Sequence, residues 1–325
     1  MQQCADNNHR NPEVWTMTLS LRQLRFFVAA AEAGTIAGAA AREHISQSTI
    51  ALAVSELERT LGVQLFLRRQ AKGLTITQAG LAVLADARPL LAHADELVSS
   101  ARNLGGELSG SLTVGCYTTL APFVMPGVLE GFATEHPTVR LSFAEGTQVE
   151  LQEKLLDGSC EMALLYDLDL QLGIQQETLY LTRPHLLLPR AHPLAGQAPV
   201  SLHDLADEPM VMLDNPPSRH YFTELLASLG IRPVIRHTTS SFETVRSLVA
   251  RGLGYSLLIQ RPASGISHEG VPLAECEIRE EVPDMPVLLA WPARANLTRR
   301  AKAFADFCRR ALAEGPVRPA VGDHT

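Results

Sequence analysis

Residues Gly34–Ile50 read GTIAGAAAREHISQSTI, and the fold of the N-terminal part turns on them. Thr35 is a natural cap for a helix over Ile36–Glu43, and Ala37, Ala39, Ala40 and Ala41 let another helix pack closely on it. A short connection then ends in Ser46, a second natural cap. Ile50, Val54, Leu57 and Leu61 give the helix that follows a buried stripe, and Gly62 stops it. Upstream, Leu24, Phe27, Val28 and Ala31 recur at helical spacing between Leu21 and Ala33, ahead of Gly34. Downstream, Leu67–Arg69 and Leu74–Thr77 read as two strands turned at Gln70-Ala71-Lys72-Gly73. Three short helices and a hairpin predict a helix-turn-helix with a wing.

Charge agrees with that reading. Over residues 20–75, seven basic side chains (Arg22, Arg25, Arg42, Arg59, Arg68, Arg69, Lys72) face four acids, whereas the whole 325-residue chain carries a net charge of −7. A small basic head on an acidic body is the pattern of a phosphate-contacting module fused to something else. Hydrophobic residues make up 46% and charged residues 19%, enough apolar material for a real core and for two or three domains. No apolar run approaches the roughly 18–20 residues of a membrane span. Met1–Leu19 lacks the apolar core of a secretory signal and is expected to lack order, with Met17 a candidate start. Five scattered cysteines (Cys4, Cys116, Cys160, Cys276, Cys308) form no C-x-x-C pair. They argue against a disulfide framework or structural zinc and fit a reducing cytoplasm.

The order Leu24-Arg25-Phe26-Phe27-Val28, Gly34-Thr35-Ile36, Ala39-Ala40, Ser46-Gln47-Ser48, Leu57-Glu58, Leu61-Gly62-Val63-Gln64-Leu65-Phe66 and Thr77-Gln78-Ala79-Gly80 resembles the N-terminal signature of LysR-type transcriptional regulators. The resemblance implies that Thr35, Ser46, Gln47, Ser48 and Thr49 stand at the DNA, with Gln47 able to bridge N6 and N7 of an adenine in the major groove. The family often places Pro after that Gln and Ser-Arg further along. Here those positions hold Ser48, Ala51 and Leu52, so methyl contacts from Ala51 or Leu52 take the place of an arginine. Arg68, Arg69 and Lys72 on the wing are expected to touch phosphates.

A long helix is expected from residue 78 to 104. Leu84, Leu91 and Val98 repeat every seven residues, with Gly80, Ala87, Ala94 and Ala101 as a small edge. The stripe needs cover, and an antiparallel copy of itself is the family's solution. Packing on the chain's own body is the alternative.

Beyond Ser109 the pattern alternates strands and helices. Strands are expected at Leu112–Cys116, Val139–Ala144, Glu161–Tyr166, Met210–Leu213, Pro233–Thr238, Gly254–Ile259 and Pro286–Trp291. Helices are expected at Pro126–Thr134, Val149–Leu156, Ser218–Leu229, Phe242–Ala250 and Thr298–Leu312. The rhythm predicts α/β units with parallel strands. The fold class is therefore α/β with an N-terminal winged helix-turn-helix (20–77), a linker and dimerisation helix (78–104), and an effector domain (109–315). The resemblance implies a two-lobed, periplasmic-binding-like effector domain, with lobe one at 109–182 and 283–315 and lobe two at 183–282. A disordered tail is expected over 316–325.

Ligands of such folds lie where strand ends and helix N-termini meet. Four stretches sit there: Tyr117-Thr118-Thr119, Thr147-Gln148 after Gly146, Ser218-Arg219 after two prolines, and Ser240-Ser241-Phe242. Arg219 suits a bidentate carboxylate and points to a small organic acid; bonded to Asp214 instead, it is structural. No G-x-S-x-G, H-E-x-x-H or Walker loop occurs, so no enzyme, metal or cofactor is expected. The reading is a cytoplasmic, effector-controlled LysR-type regulator acting as a homodimer or homotetramer on promoter DNA, with RNA polymerase as a further candidate partner. The alternative is a solute-binding protein of the same fold without a role in gene regulation.

Overall fold

The computed structural model describes residues 19–69, 73–102, 107–197 and 199–315. The N-terminal extension up to residue 18, Lys72 and the tail from residue 316 lie outside the described residues. The chain divides into two compact units at Ala87/Arg88, and each is described by itself.

In the first unit α1 (Leu21–Ala33), α2 (Ile36–Glu43) and α3 (Gln47–Leu61) precede the hairpin strands β1 (Phe66–Arg69) and β2 (Gly73–Ile76). Each helix starts on a hydroxyl. Ser20, Thr35 and Ser46 accept from the N–H groups of Gln23, Gly38 and Thr49, supplying partners the helix itself cannot. The left-handed Gly34, His44 and Gly62 end the three helices. Phe27, Ala30, Ile50 and Leu57 are fully buried where the helices meet. Truncating Phe27, Ile50 or Leu57 to alanine costs about 2–5 kcal/mol. The hairpin is held by backbone: Gly73, at φ +80°, brings Leu74 N within 2.8 Å of Gly34 O. Glu58 Oε1 accepts from the N–H groups of Leu65 and Phe66 at 2.8 and 3.2 Å, fixing the entry to β1.

The helix α4 (Gln78–Arg102) begins on a Thr77 cap, Gly80 N donating to Thr77 Oγ1 at 2.9 Å. A Cβ on Gly80 would stand 2.3 Å from Leu65 O, so only glycine lets this turn seat there.

The second unit holds two lobes. In the first, β3 (Gly110–Tyr117), β4 (Val139–Gly146), β5 (Met162–Tyr166), β6 (Ile174–Thr182) and β12 (Met285–Pro292) form one sheet in the order β4-β3-β5-β12-β6. The helices α5 (Ala121–Glu135), α6 (Gln148–Leu156) and α9 (Arg299–Ala311) belong to this lobe. Every residue of β5 is buried, as a strand covered on both faces requires. The second lobe carries β7 (His185–Pro189), β8 (Pro209–Leu213), β9 (Val234–Thr239), β10 (Ser256–Leu258) and β11 (Leu273–Cys276) with α7 (Ser218–Ser228) and α8 (Phe242–Ala250).

Two expectations need correction. The sheets are mixed: β3 is parallel to β4 and β5, and β8 to β9, but β12 runs antiparallel to β5 and β6, and β7 to β10 and β11. The returning chain enters the first sheet from the second lobe, without the crossover helix that enforces parallel pairing. The helix expected from Pro126 starts at Ala121 instead. Pro122 fits the first turn, where no N–H is needed, and Val124 N already donates to Leu120 O at 3.0 Å.

Candidate DNA-reading face and effector cleft

Ser46 organises the start of α3. Its hydroxyl lies 2.8 Å from both Ser48 Oγ and Thr49 Oγ1 and accepts from Thr49 N at 3.2 Å. Those three hydroxyls hold one another, whereas Gln47 is exposed and no described residue bonds its amide. Leu52, one turn on, is 62% exposed, and Ala51 is half-buried beside it. A polar amide and an apolar methyl surface thus stand free at the N-terminal end of the second helix of a helix-turn-helix, the part that reaches base edges. Thr35 is engaged as the cap of α2. Arg68 and Arg69 lie on β1 opposite Leu74 and Gly73. Two other basic residues of the head are spent internally, Arg25 on Glu43 at 2.8 Å and Arg42 on Glu32 at 2.6 Å.

The expected seam on α4 splits. Leu84 and Ala87 are buried within the head, Leu91 is half-buried, and Leu90, Leu97 and Val98 are exposed. Within the second unit, the later turns of α4 are bonded to the body. Arg88 Nη1 donates to Asp157 O at 2.9 Å and pairs with its carboxylate at the same distance. Glu96 Oε1 accepts from Arg299 N at 2.6 Å, and the buried Arg300 donates to Ala92 O at 3.4 Å.

In the same unit a crevice runs between the two lobes. Thr119 and Tyr166 face Ser218, Phe222, Phe242 and Gln260 across it. Leu213 and Ile259 complete the lining, and the space left holds one water molecule at most. Four contacts close it. Tyr166 Oη accepts from Gln260 Nε2 at 2.8 Å, and Tyr117 Oη lies 3.2 Å from Ser218 Oγ and donates to Pro216 O at 3.3 Å. The rings of Phe123 and Phe242 meet edge-on at 5.7 Å. Burial holds the Tyr117 and Tyr166 hydroxyls above the usual phenol range, so both stay protonated donors.

The family model described as "Bacterial regulatory helix-turn-helix protein, lysR family" matches residues 21–81, and that of the "LysR substrate binding domain" matches residues 105–313. The chain belongs to the LysR family of transcriptional regulators. Among relatives, the HTH-type transcriptional regulator YnfL of Escherichia coli (strain K12) is 31% identical over 89% of this chain and 97% of its own length. Among solved structures, HinK, a LysR family transcriptional regulator from Pseudomonas aeruginosa, is 38% identical, with a TM-score of 0.62 over 91% of this chain and 99% of that one. Full-length CbnR in complex with its target DNA is 25% identical, with a TM-score of 0.58 over 90% of this chain and 100% of that one. Nothing in these likenesses supports a solute-binding protein without a regulatory role.

The other residues of this LysR-family regulator singled out in its sequence fall into two groups. Thr119, Ser218 and Phe242 line the crevice, and Tyr117 bonds across it. The others, Ser240 apart, serve local structure. Thr118 Oγ1 donates to Gly146 O at 3.2 Å, Thr147 caps α6, and Ser241 caps α8. Gln148 is buried, its amide donating to Tyr166 O and Leu168 O, both at 2.7 Å. Ser240 is exposed, and no described residue bonds its hydroxyl. Arg219 is half exposed and bonded to Asp214. Sequence reasoning missed Tyr166, Leu213, Phe222, Ile259 and Gln260. Tyr166 carried a usable signal, as the last residue of an apolar strand at the end where ligands gather.

Proposed function

We propose that this regulator binds a dyad-symmetric promoter element as a homodimer or homotetramer, and that a small molecule taken up between the lobes changes its grip on DNA or its activation. The observation that carries the reading is the free Gln47 and Leu52 at the start of α3, on a head whose other polar caps are all occupied. The reading includes two-fold pairing, since one head covers only a half-site. The closed crevice supplies the second state that effector control requires: a ligand preferring parted lobes shifts the population. The protein is read as cytoplasmic, without catalytic activity, and as meeting RNA polymerase at the promoter. No helix among the described residues is long and apolar enough to cross a membrane.

The test is footprinting on the promoter nearest its own gene, at two salt concentrations. Two protected half-sites on one face of the duplex are expected, with affinity falling steeply as salt rises. Equal retention of operator and random DNA would refute sequence-specific control.

A further inference from the structure

Along α3 the exposed residues Ser48, Leu52, Ser55 and Arg59 follow one another at the spacing of a single helix face, opposite the buried Ile50, Val54 and Leu57. Gln47 stands exposed at the N-terminal end. From Gln47 to Ser55 no side chain is charged. The part of the helix that reaches base edges therefore has no guanidinium or ammonium group for O6 and N7 of a guanine. The Ser48 and Thr49 hydroxyls are held by Ser46, both at 2.8 Å. What this face offers a base is the Gln47 amide and the side chain of Leu52, at 62% the most exposed large apolar residue described in the head. Seven basic side chains against four acids over residues 20–75 favour a polyanion over an apolar protein as the partner that covers it.

In the major groove the base pairs present hydrogen-bonding groups and one apolar group, the C5 methyl of thymine. An isobutyl side chain pressed on that methyl takes apolar surface of both from water. Over a cytosine it covers the N4 amino group and gives that donor no acceptor, which costs affinity. We infer that Leu52 reads the 5-methyl group of one thymine in each half-site, beside the adenine taken by Gln47. The inference rests on the reading of α3 as the helix that enters the major groove.

The probe is a duplex that the full chain selects from a random-sequence pool. Each of its thymines is replaced in turn by deoxyuridine, which lacks only the methyl group, and affinity is read by fluorescence anisotropy. One thymine per half-site is expected to lose about fourfold, the worth of one buried methyl group. At that position 5-methylcytosine is expected to bind about fourfold better than cytosine, because it restores the methyl without thymine's hydrogen-bonding edge. In Leu52→Ala both differences should vanish. The base changes leave the protein untouched, so a folding defect cannot imitate them. Deoxyuridine that is neutral at every thymine overturns the inference, and so does a deoxyuridine effect that Leu52→Ala keeps in full. A pool that yields no preferred duplex refutes sequence-specific control itself, and the inference falls with it.

Discussion

Arg219 donates from Nη1 to both carboxylate oxygens of Asp214, at 3.0 and 3.1 Å. The pair is local, five residues apart, and about half of the arginine side chain meets solvent. Exposed pairs of this kind contribute about 0–1 kcal/mol, because water screens them and two flexible side chains must be ordered. Arg219→Ala is therefore expected to lower stability by less than about 1 kcal/mol. Urea unfolding measures it, and a loss several times larger would show the pair to be a structural clasp at the start of α7.

Gln47→Ala removes the one amide that α3 leaves free at its N-terminal end. The operator is expected to bind about 1–3 kcal/mol more weakly, and preference at one position per half-site to blur. Random DNA should bind as before, since phosphate contacts are untouched. Quantitative gel shift with both DNAs separates these effects. An equal loss on both would make Gln47 a backbone contact.

Gly80→Ala places a methyl 2.3 Å from Leu65 O and 2.6 Å from Ile76 Cγ1. Neither neighbour is the end of a flexible polar side chain, so the start of α4 must move away from the wing. Overpacking of this order costs about 1–3 kcal/mol. Limited proteolysis is expected to cut the head of the variant sooner than that of the parent, and the effector domain at an unchanged rate.

The head was legible because its punctuation is chemical. Thr35, Ser46, Gly34 and Gly62 are cap residues with local reasons to be there, and they bound the helices they were read to bound. The strands β6, β7 and β11 were not legible. β6 is an edge strand with Gln175, Gln176 and Glu177 in its first half, so neither alternation nor an apolar run marks it. β7 is a three-leucine run after Pro184, too short to tell from a loop. The crevice was half legible. Loops after strand ends pointed to Thr119, Ser218 and Phe242, but Thr118, Thr147 and Ser241 prove to be spent on backbone groups. Tyr166 and Gln260 meet across 94 residues, a pairing that only the returning chain creates.

Leu97 is 72% exposed on α4, beside the repeat of Leu84, Leu91 and Val98, whereas Leu84 is 5% exposed. Substituting them should have opposite consequences. Leu97→Glu is expected to leave the melting temperature near that of the parent and shift the oligomer toward monomer, with operator affinity falling because one half-site remains. Leu84→Ala is expected to cost about 2–5 kcal/mol in the head and leave the pairing of the later turns intact. Sedimentation velocity over a range of concentrations reads the first, and thermal unfolding the second. An unchanged oligomer for Leu97→Glu would move the interface off this helix.

His185 on β7 is fully buried, and no described residue bonds either ring nitrogen. Burial pushes its pKa down to about 3, and the guanidinium groups of Arg261 and Arg246 add to the effect. In the unfolded chain the ring titrates near 6.5. Between these values the unfolded state binds the proton and the folded state does not, so stability drains away as pH falls from about 6.5 toward about 3. The slope from this residue is ~1.4 kcal/mol per pH unit. Glu275, raised by its own burial, works in the opposite direction, but it is present in both proteins when the parent is compared with His185→Leu. The leucine variant is expected to match or exceed the parent at pH 7, since a buried ring without hydrogen bonds is replaced by an apolar side chain of similar size. By pH 5 its advantage should widen by about 2 kcal/mol. Urea unfolding at the two pH values measures the difference. A constant gap between the proteins would mean that water reaches the His185 nitrogens and that the ring titrates as it does in the open chain.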